Sequence, residues 1–582
     1  MVLLSCNSNS NNHNSTMTAV TQDTTHTDSI QRKWWKEAVV YQVYPMSFKD
    51  ADGDGIGDLK GIISKLDYIK SLGVDVVWLN PVYQSPNRDN GYDISNYEAI
   101  MSRFGTMADF DSLLAGLHRR GLKLVMDLVV NHTSDQHPWF VQSRSSRSNP
   151  YRNFYHWWDA ERGKPAHRYS FFDVNNEAWK YDSLTHAYYL HYFGDFQPDL
   201  NWENPQVRDS IFQMMRFWLD KGVDGFRMDV IPFISKDTTF PPLPPQYNGD
   251  FVKYYANGPH LHEYLRDMNR DVLSRYDCMS VAEGIGVTTA TAHDFVDADR
   301  HELNMLYHFE GVSLGMVPGK FKEVQPGGVR LVDFKNLYSK WDSVFEQKGW
   351  GTVYLGNHDQ PRMVTRWGND DPQWRALSSK MLTTFLLTMR ATPYYYAGDE
   401  LGMTNIKFNR ISDYRDVESL NMYDHLKKTG GNLQEFLRDQ KITARDNGRT
   451  PFQWNNSRNA GFTTGTPWLR VNPNYLTINA ETEGKDSTSC LNYFRKLIQI
   501  RKQRLVFVYG KYTELDKDNP SVYAYTRELD GKTILVLLNF TANTAEVNVG
   551  NDLAHASLLI DNYPHPSRTN LLQPYEAAVY EW

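Results

Sequence analysis

Short apolar runs alternate with amphipathic segments along most of the chain, from Trp34 onward. Short continuous apolar runs are typical of buried strands, whereas apolar residues three and four positions apart are typical of helices. The pattern predicts eight strands, over residues 38–44, 74–79, 122–130, 225–230, 279–282, 303–309, 352–355 and 392–396. It also predicts helices between them, for example over residues 59–72, 207–219 and 379–389.

Strands that alternate with helices form parallel sheets, because a parallel pair needs a long crossover connection. Eight such units favour a (β/α)8 TIM barrel, an α/β fold, and the pattern alone leaves an open doubly wound sheet as the alternative. The connection from the third strand to the fourth is much longer than the roughly 30 residues of a βαβ unit. Its excess, residues 133–198, is rich in aromatic residues and predicts an inserted subdomain at the mouth of the barrel.

The pattern changes after residue 504. Short alternating strands are predicted over residues 506–511, 521–527, 533–539, 545–549, 556–560 and 577–582. They indicate a C-terminal antiparallel β-domain, which we expect to be a β-sandwich. The predicted organisation is a disordered polar leader at 1–32, a barrel from 33–132 and 199–504, the inserted subdomain at 133–198 and the β-domain at 505–582.

Composition narrows the classes of function. The chain has 582 residues, of which 41% are hydrophobic and 23% charged, as expected for a soluble protein of two or three domains. Its net charge of −7 offers no basic excess for phosphates, which argues against a nucleic-acid partner. No apolar stretch is long enough for a transmembrane helix. The aromatic content of 14% fits either dense aromatic packing or a carbohydrate site.

The N-terminal segment has two interpretations. Leu3-Leu4-Ser5-Cys6, followed by a Ser/Asn/Thr-rich tract, resembles a bacterial lipobox in which the cysteine is lipidated. The charged and apolar regions of a signal peptide are missing. Either the start site is placed too far downstream and the lipobox is real, or the resemblance is a coincidence. A real lipobox predicts a lipid anchor at Cys6 and a periplasmic or outer-membrane location. Otherwise we expect a cytoplasmic protein.

Acidic and basic residues recur where the predicted strands end, which is where barrel enzymes place their catalytic groups. Asp127 lies in the third strand, and Arg227 and Asp229 close the fourth. Because they are two positions apart, Arg227 and Asp229 point to the same face, and the guanidinium is expected to keep Asp229 ionised. Glu283 closes the fifth strand and Asp359 the seventh. Two carboxyl groups in distinct environments are what glycoside hydrolysis requires.

These segments resemble the consensus regions of the α-amylase superfamily, glycoside hydrolase family 13. The stretches 127–132 and 225–230, Glu283, and 357–359 stand in the family's order, and 197–201 resembles the marker of the oligo-1,6-glucosidase subgroup. The resemblance implies a retaining α-glucosidase with Asp229 as nucleophile, Glu283 as general acid/base and Asp359 as the third carboxylate. It also implies a set of residues that bind the terminal glucose: Asp89, Tyr92, His132, Arg227, His358 and Arg445.

The loop from Asp50 to Asp58 has acidic residues at alternate positions with glycines between them, which suits a hard cation. The resemblance implies a structural Ca²⁺ site, away from the bond that is cleaved. The ligands implied are Asp50, Asp52, Asp54, the Ile56 carbonyl and Asp58. The alternative is a solvated acidic turn.

Val230, directly after the nucleophile, is the residue that in this subgroup accompanies α-1,6 cleavage. The resemblance therefore favours exo-hydrolysis of short isomalto-oligosaccharides, and a maltase-type α-1,4 enzyme is the alternative. A sucrose isomerase is less favoured, because residues 328–335 lack the Arg-rich loop of those relatives. A trehalose-6-phosphate hydrolase also stays open. A non-catalytic transporter subunit of the same fold is disfavoured, because all three acids are present.

Overall fold

An eight-stranded parallel sheet forms the centre of the protein. The computed structural model describes residues 30–244, 251–550, 553–566 and 569–582, so the predicted lipidation site Cys6 lies outside the described residues. The strands are β1 Val40–Val43, β2 Val76–Leu79, β3 Lys123–Val129, β4 Gly225–Asp229, β5 Met279–Gly284, β6 Met305–His308, β7 Thr352–Val353 and β8 Thr392–Tyr396.

The sheet closes on itself. Its strand order is β6-β5-β4-β3-β2-β1-β8-β7, and the paired neighbours are parallel. A parallel bridge between Leu306 in β6 and Gly351, directly before β7, joins the two ends. The predicted (β/α)8 barrel is therefore confirmed, and the open doubly wound sheet was the wrong alternative.

The strand sequences fit a barrel that is covered on both sides. All residues of β1 and β2 are buried, because inward side chains fill the barrel and outward ones pack against helices. Gly225 opens β4 with φ near 148°, and a Cβ there would lie 2.0 Å from the carbonyl oxygen of Met279 in β5. Only glycine lets β4 and β5 approach this closely at their starts.

Helices occupy the connections between the strands, and no described helix is long and apolar enough to cross a membrane. The predicted helix over 59–72 is interrupted by a turn at Ser64 and Lys65. The helices are Trp34–Glu37, Pro45–Phe48, Leu59–Ile63, Leu66–Leu72, Met107–His118, Pro138–Ser145, Pro205–Asp220, Val252–Tyr255, Leu261–Asp271, Ala292–Val296, Leu331–Val344, Met363–Trp367, Arg375–Thr388, Val417–Thr429, Leu433–Thr443, Arg445–Gly448, Ala480–Lys485, Cys490–Lys502 and Val506–Tyr509.

The inserted subdomain follows β3, as predicted. Its three-stranded antiparallel sheet has Ala187–Leu190 in the middle, between Trp157–Asp159 and Trp179–Asp182. His132 and Asp199 form an antiparallel bridge where the chain leaves and re-enters the barrel. The insertion therefore stands at the carboxyl end of β3. A second small sheet, Tyr83–Gln84 with Asn96–Ile100, follows β2.

The C-terminal region is an antiparallel β-domain, which confirms the predicted fold class. Its strands are β9 Lys511–Leu515, β10 Val522–Leu529, β11 Lys532–Asn539, β12 Ala545–Glu546, β13 Ser557–Asp561, β14 Leu571–Leu572 and β15 Ala577–Glu581. Five of them form one sheet in the order β9-β10-β11-β15-β13, and β12 pairs with β14. The predicted strand over 506–511 was wrong. Val506–Tyr509 is a helical turn, because a short apolar run buried on all sides does not distinguish a helix from a strand.

Candidate active site

Four charged side chains converge at the carboxyl ends of β3, β4 and β5. In the parallel register of β3 and β4, Asp127 lies beside Arg227 and Val129 beside Asp229. Glu283 lies near the end of β5, and all four residues are buried. Since parallel strands of a barrel end at one face, residues far apart in sequence meet at this face. We call Asp127, Arg227, Asp229 and Glu283 the inner cluster.

Arg227 is the centre of the inner cluster. Its Nη1 donates to Oδ1 of Asp127 at 2.7 Å and to Oδ1 of Asp229 at 2.6 Å. Its Nη2 pairs with Oε1 of Glu283. The guanidinium also lies over the indole of Trp78, 5.2 Å from the ring centroid. One positive charge is therefore shared by three buried carboxyl groups. Because burial disfavours uncompensated negative charge, at least one of the three carboxyl groups is expected to keep its proton.

The pKa values follow this imbalance. Burial raises the pKa of Asp127 to about 7 against the opposing effect of Arg227. Burial also raises the pKa of Asp229 above its usual value, and that of Glu283 well above its usual value. Burial therefore outweighs the attraction of Arg227 in the pKa of Asp229, but the guanidinium still lowers that pKa and favours the ionised form. That Arg227 keeps Asp229 ionised stays a prediction. The order that follows is functional: Glu283 keeps its proton when Asp229 has lost its own.

Val230 holds a strained conformation directly after Asp229. Its backbone has φ near 36° and ψ near 35°, a left-handed geometry that is rare for a β-branched residue. In this geometry its N–H donates to Oε2 of Glu283 at 2.8 Å. The side chain is buried in an aromatic cluster that includes Phe172, Phe193 and Phe233. Strain of this kind persists where the surroundings impose it, often at functional sites.

A polar layer connects Tyr92, His358 and Asp359. The hydroxyl of Tyr92 lies 2.7 Å from Nε2 of His358, and the two rings stack with centroids 5.3 Å apart. Nε2 of His358 lies 3.3 Å from Oδ2 of Asp359. Nε2 of Gln42 donates to Nδ1 of His358 at 2.8 Å, which leaves the imidazole proton on Nε2. Burial lowers the pKa of His358 to about 3, so the ring is neutral.

Asp359 is shared by two arginines. Oδ1 of Asp359 lies 3.0 Å from Nη1 of Arg445 and 3.0 Å from Nη2 of Arg449. Both guanidinium groups also contact Oδ1 of Asp416, at 2.6 and 3.4 Å. Glu418 lies 3.3 Å from Arg445. We call these five residues the outer cluster.

The outer cluster has more positive charge for its carboxyl groups than the inner cluster, with two guanidinium groups for three carboxyl groups instead of one. Burial alone would raise the pKa of Asp359, but His358, Arg445 and Arg449 together hold it well below its usual range. The pKa of Asp416 is likewise lowered, because Arg445 and Arg449 outweigh its burial. Asp359 therefore loses its proton more readily than Asp229 and Glu283 do.

Asp89 and His132 complete the set predicted from sequence. Nε2 of Gln197 donates to Oδ2 of Asp89 at 2.9 Å and lies 3.3 Å from Nε2 of His132. Nη2 of Arg445 lies 3.8 Å from Oδ1 of Asp89. Burial raises the pKa of Asp89 to about 7 against Arg445, and lowers that of His132 to about 3. Contacts thus link Asp89 and His132 to the outer cluster. The negative charge of Asp359 also acts on the inner cluster, where it raises the pKa of Asp229.

Several contributors were missed from the sequence. Asp127 and Gln197 stand inside quoted motifs, but no role was assigned to them. Arg449 and Asp416 carry no motif of their own, and the only available signal was that Arg449 lies four residues after Arg445, one helical turn away. Gln42 and Asn80 were also not identified from the sequence. Gln42 donates to His358, and Asn80 donates to Tyr92.

The acidic loop lies apart from this network. Carboxylate oxygens of Asp50, Asp52 and Asp58 all lie within 4.8 Å of one another, and Asp54 is not part of that group. Oδ1 of Asp54 instead accepts a hydrogen bond from the N–H of Ile56 at 2.8 Å. Oδ1 of Asp58 caps the helix Leu59–Ile63 by accepting from the N–H of Gly61. The loop therefore holds three convergent hard oxygen donors.

Comparison with known proteins gives a consistent picture. The family described as "Alpha amylase, catalytic domain" matches residues 42–510, and "Maltogenic Amylase, C-terminal domain" matches residues 512–578. An oligo-1,6-glucosidase of Parageobacillus thermoglucosidasius is 51% identical over 562 residues, 95% of this chain and 99% of the relative. A trehalose-6-phosphate hydrolase of Bacillus subtilis (strain 168) is 45% identical over 559 residues, 94% of this chain and 98% of the relative. The crystal structure of isomaltulose synthase from Klebsiella sp. LX3 has 46% identity and a TM-score of 0.92, covering 95% and 100% of the two chains.

A closed (β/α)8 barrel with paired carboxyl groups at the ends of β4 and β5 has the groups that glycoside hydrolysis requires, and the family match and full-length relatives show that the protein is a glycoside hydrolase. The chain belongs to the α-amylase family, as the match over its barrel and the full-length relatives show. The resemblance inferred from the sequence motifs is thereby confirmed.

Proposed function

We propose that the protein is a retaining exo-α-glucosidase that removes single glucose units from the non-reducing end of short α-glucosides, with preference for α-1,6 linkages. The observation that carries the proposal is the inner cluster, in which one guanidinium holds Asp229 and Glu283 side by side with unequal proton affinity. Unequal carboxyl groups are what general acid catalysis paired with nucleophilic attack requires.

In the proposed reaction, Asp229 attacks the anomeric carbon while Glu283 protonates the leaving glycosidic oxygen. Glu283 then takes a proton from water, which hydrolyses the glucosyl–Asp229 ester with overall retention of configuration. Arg227 fixes both carboxyl groups, and the Val230 N–H fixes Glu283. Retention predicts a separation of roughly 5–5.5 Å between these carboxyl groups in the complex with substrate.

The other site residues would hold one glucose unit. We assign sugar-hydroxyl binding to His132, His358, Asp89 and Asp359, and ring stacking to Tyr92. Arg445 spans from Asp89 to Asp359 and so closes one side of the pocket. A pocket closed in this way accommodates a chain end rather than the middle of a polymer, which supports exo-action.

Linkage preference is assigned to Val230. Its buried side chain lies in the aromatic cluster next to the reacting carboxylates, so it limits the shape of the adjoining sugar. The relative with 51% identity is an oligo-1,6-glucosidase, which supports the α-1,6 assignment. Initial rates on isomaltose, maltose, panose and sucrose, measured side by side, test it. We expect kcat/KM for isomaltose to exceed that for maltose, and the reverse order would favour the maltase-type alternative.

Two related activities are less well supported. Isomaltulose synthase shares the fold, but the segment 328–335 of this chain contributes a single arginine, Arg330, which pairs with Asp333 at 2.7 Å. Release of glucose and fructose from sucrose would support hydrolysis, and isomaltulose as main product would contradict it. A trehalose-6-phosphate hydrolase needs a cation for the phosphate, whereas Arg445 and Arg449 are already paired with carboxylates. Assaying trehalose 6-phosphate beside isomaltose separates these two.

We also propose a structural Ca²⁺ site at Asp50, Asp52 and Asp58, completed by Asp54 and the Ile56 carbonyl. Three converging carboxylates match the oxygen ligands that Ca²⁺ prefers, and the ion would stabilise the loop without taking part in the reaction. The melting temperature should fall when a chelator is added and recover with Ca²⁺. In Asp52→Asn the dependence on Ca²⁺ should be lost, and an unchanged dependence would contradict the site.

The domain boundaries predicted from the sequence are retained as a proposal: a barrel at 33–132 and 199–504, an insertion at 133–198 and a β-domain at 505–582. The lipid anchor at Cys6 is also a proposal, supported only by its sequence context. Incorporation of labelled palmitate into the full chain, and its loss in Cys6→Ser, would support an envelope location. Absence of label would favour the cytoplasm.

A further inference from the structure

A cavity of about 750 Å³ lies where the barrel meets the C-terminal β-domain, and no active-site residue lines it. Its wall includes the start of the helix Leu331–Val344, the pair Arg366 and Trp367, and Phe540, which follows β11. None of the residues that line it is acidic. We call it the Arg366 cavity.

Arg366 brings to this cavity a positive charge that lies over the Trp367 ring, 4.7 Å from its centroid, and that has no carboxylate partner among the described residues. It is only 8% exposed, and its Nη2 donates to the carbonyl oxygen of Leu314. Its Nε is buried and has no hydrogen-bond partner, and among the described residues no carboxylate pairs with the guanidinium. Because burial of an unpaired charge is unfavourable, an anion that enters the cavity gains strongly from this arginine.

The helix Leu331–Val344 adds a second feature that favours anions. It has 14 residues, and no side chain caps its N-terminus. The first amide groups of a helix have no partner inside the helix, and the helix dipole places partial positive charge at that end. Leu331 and Val332, the first two helical residues, both line the cavity. Amide groups at such a helix start bind phosphate.

The rest of the wall is aromatic. Phe334 packs between Trp367 and Phe540, with ring centroids 5.7 and 5.5 Å away. Trp367 and Phe540 are only partly buried, so the parts of their rings that Arg366 and Phe334 leave uncovered are open to a ligand. A sugar ring has an apolar face that packs against such surfaces, whereas a bare inorganic anion would leave them uncovered.

We propose that the Arg366 cavity binds a hexose phosphate. The phosphate lies between Arg366 and the first turn of the helix Leu331–Val344, and the sugar ring lies against Trp367 and Phe540. A neutral sugar would leave Arg366 unpaired, and free phosphate would leave the aromatic wall uncovered. The proposal concerns a site separate from the active site, so it stands whichever α-glucoside the enzyme hydrolyses.

Calorimetric titration of the full chain with glucose 6-phosphate, glucose and inorganic phosphate tests the proposal. The matched variants are Val332→Asp and Val332→Asn. An aspartate in the first helical turn is compatible with the helix and places a carboxylate where the phosphate would lie, whereas asparagine has the same shape without the charge. We expect saturable binding of glucose 6-phosphate that is weakened by about tenfold or more in Val332→Asp, because like charges repel. In Val332→Asn we expect affinity within about threefold of the parent, as for ordinary surface substitutions.

Three outcomes would overturn the proposal. Absence of saturable binding would remove the site altogether. Equal affinity in Val332→Asp and the parent would place the ligand elsewhere, in the active site above all. Affinity for glucose 6-phosphate no greater than for inorganic phosphate would show an adventitious ion only, without recognition of the sugar.

Discussion

The inner and outer clusters hold similar groups in different proportions, with one guanidinium for three carboxyl groups in the inner cluster and two for three in the outer cluster. In the inner cluster one guanidinium, that of Arg227, serves Asp127, Asp229 and Glu283, and burial raises the pKa of all three acids. In the outer cluster Arg445 and Arg449 converge on Asp359 and Asp416, and both pKa values fall.

The comparison shows that the ratio of cations to carboxyl groups decides where a buried proton is held. A carboxyl group that acts as a catalytic acid must keep its proton. A carboxyl group that stabilises developing positive charge must have lost its proton. The two clusters therefore divide the chemistry between them. The inner cluster supplies proton transfer and attack, and the outer cluster supplies a fixed negative charge.

Replacing the nucleophile should have the largest effect. Asp229→Asn keeps the shape and the contact with Arg227 but cannot form the glucosyl ester. We expect kcat to fall by about 10⁴-fold or more, at or beyond the upper end of what a single positioned catalytic group contributes. Steady-state kinetics on isomaltose measure it, and circular dichroism checks that the variant is folded. Retention of most of the rate would exclude Asp229 as nucleophile.

Loss of the acid comes next. In Glu283→Gln we expect kcat on isomaltose to fall by about 10²- to 10⁴-fold. The parent should show a bell-shaped pH profile, because activity requires Asp229 ionised and Glu283 protonated. Activity thus falls as the pH drops through the pKa of Asp229 and falls again as it rises through the higher pKa of Glu283. Glu283→Gln should lose the alkaline limb, and an unchanged limb would assign it to another group.

The outer cluster should show a smaller effect of a different kind. Arg449→Met removes a charged hydrogen bond to Asp359, worth about 1.5–3 kcal/mol or roughly 10- to 150-fold in kcat/KM. Because Arg449 lowers the pKa of Asp359, its removal should raise that pKa. Protonation of Asp359 would then add to that of Asp229, and the loss of activity at low pH should begin at higher pH. Arg449→Lys, which keeps the charge, is the control. A loss of rate with an unmoved acid limb would make Arg449 purely structural.

The smallest effect is expected at Val230, which contacts Glu283 of the inner cluster. Val230→Ala should lower the ratio of isomaltose to maltose turnover by about tenfold, the low end of the discrimination that small differences in side-chain size provide. The N–H of residue 230 would still reach Glu283, so total activity should change less than the ratio. Competition assays with both disaccharides measure it. An unchanged ratio would show that linkage preference is set elsewhere.

The sequence predicted much of the barrel because its strands are short apolar runs with acids at their ends. Asp229 and Glu283 could be identified because they lie at the ends of predicted strands within family motifs, and Asp359, which lies in the loop after β7, because its motif resembles the family's fourth region. The pKa order could not, because it depends on how deeply the groups are buried and on how many carboxyl groups share Arg227. The helical turn Val506–Tyr509 was mistaken for a strand, since its apolar residues carry no period.

The conformation of Val230 and the pairing of Arg449 with Asp359 were also beyond the sequence. A β-branched residue in left-handed geometry contradicts local preference, so only the surrounding packing imposes it. Arg449 and Asp359 are 90 positions apart, and only the closed barrel with its last long loop brings them within 3.0 Å.

The central claim, that Asp229 attacks the anomeric carbon of glucose, can be tested by trapping the covalent intermediate. Glu283→Gln incubated with α-glucosyl fluoride, which needs no acid to leave, should accumulate the glucosyl ester. Peptide mass spectrometry of the digested protein should then find one added glucosyl group on the peptide that contains Asp229. A glucosyl group on any other carboxylate, or release of β-glucose without a covalent adduct, would contradict the account.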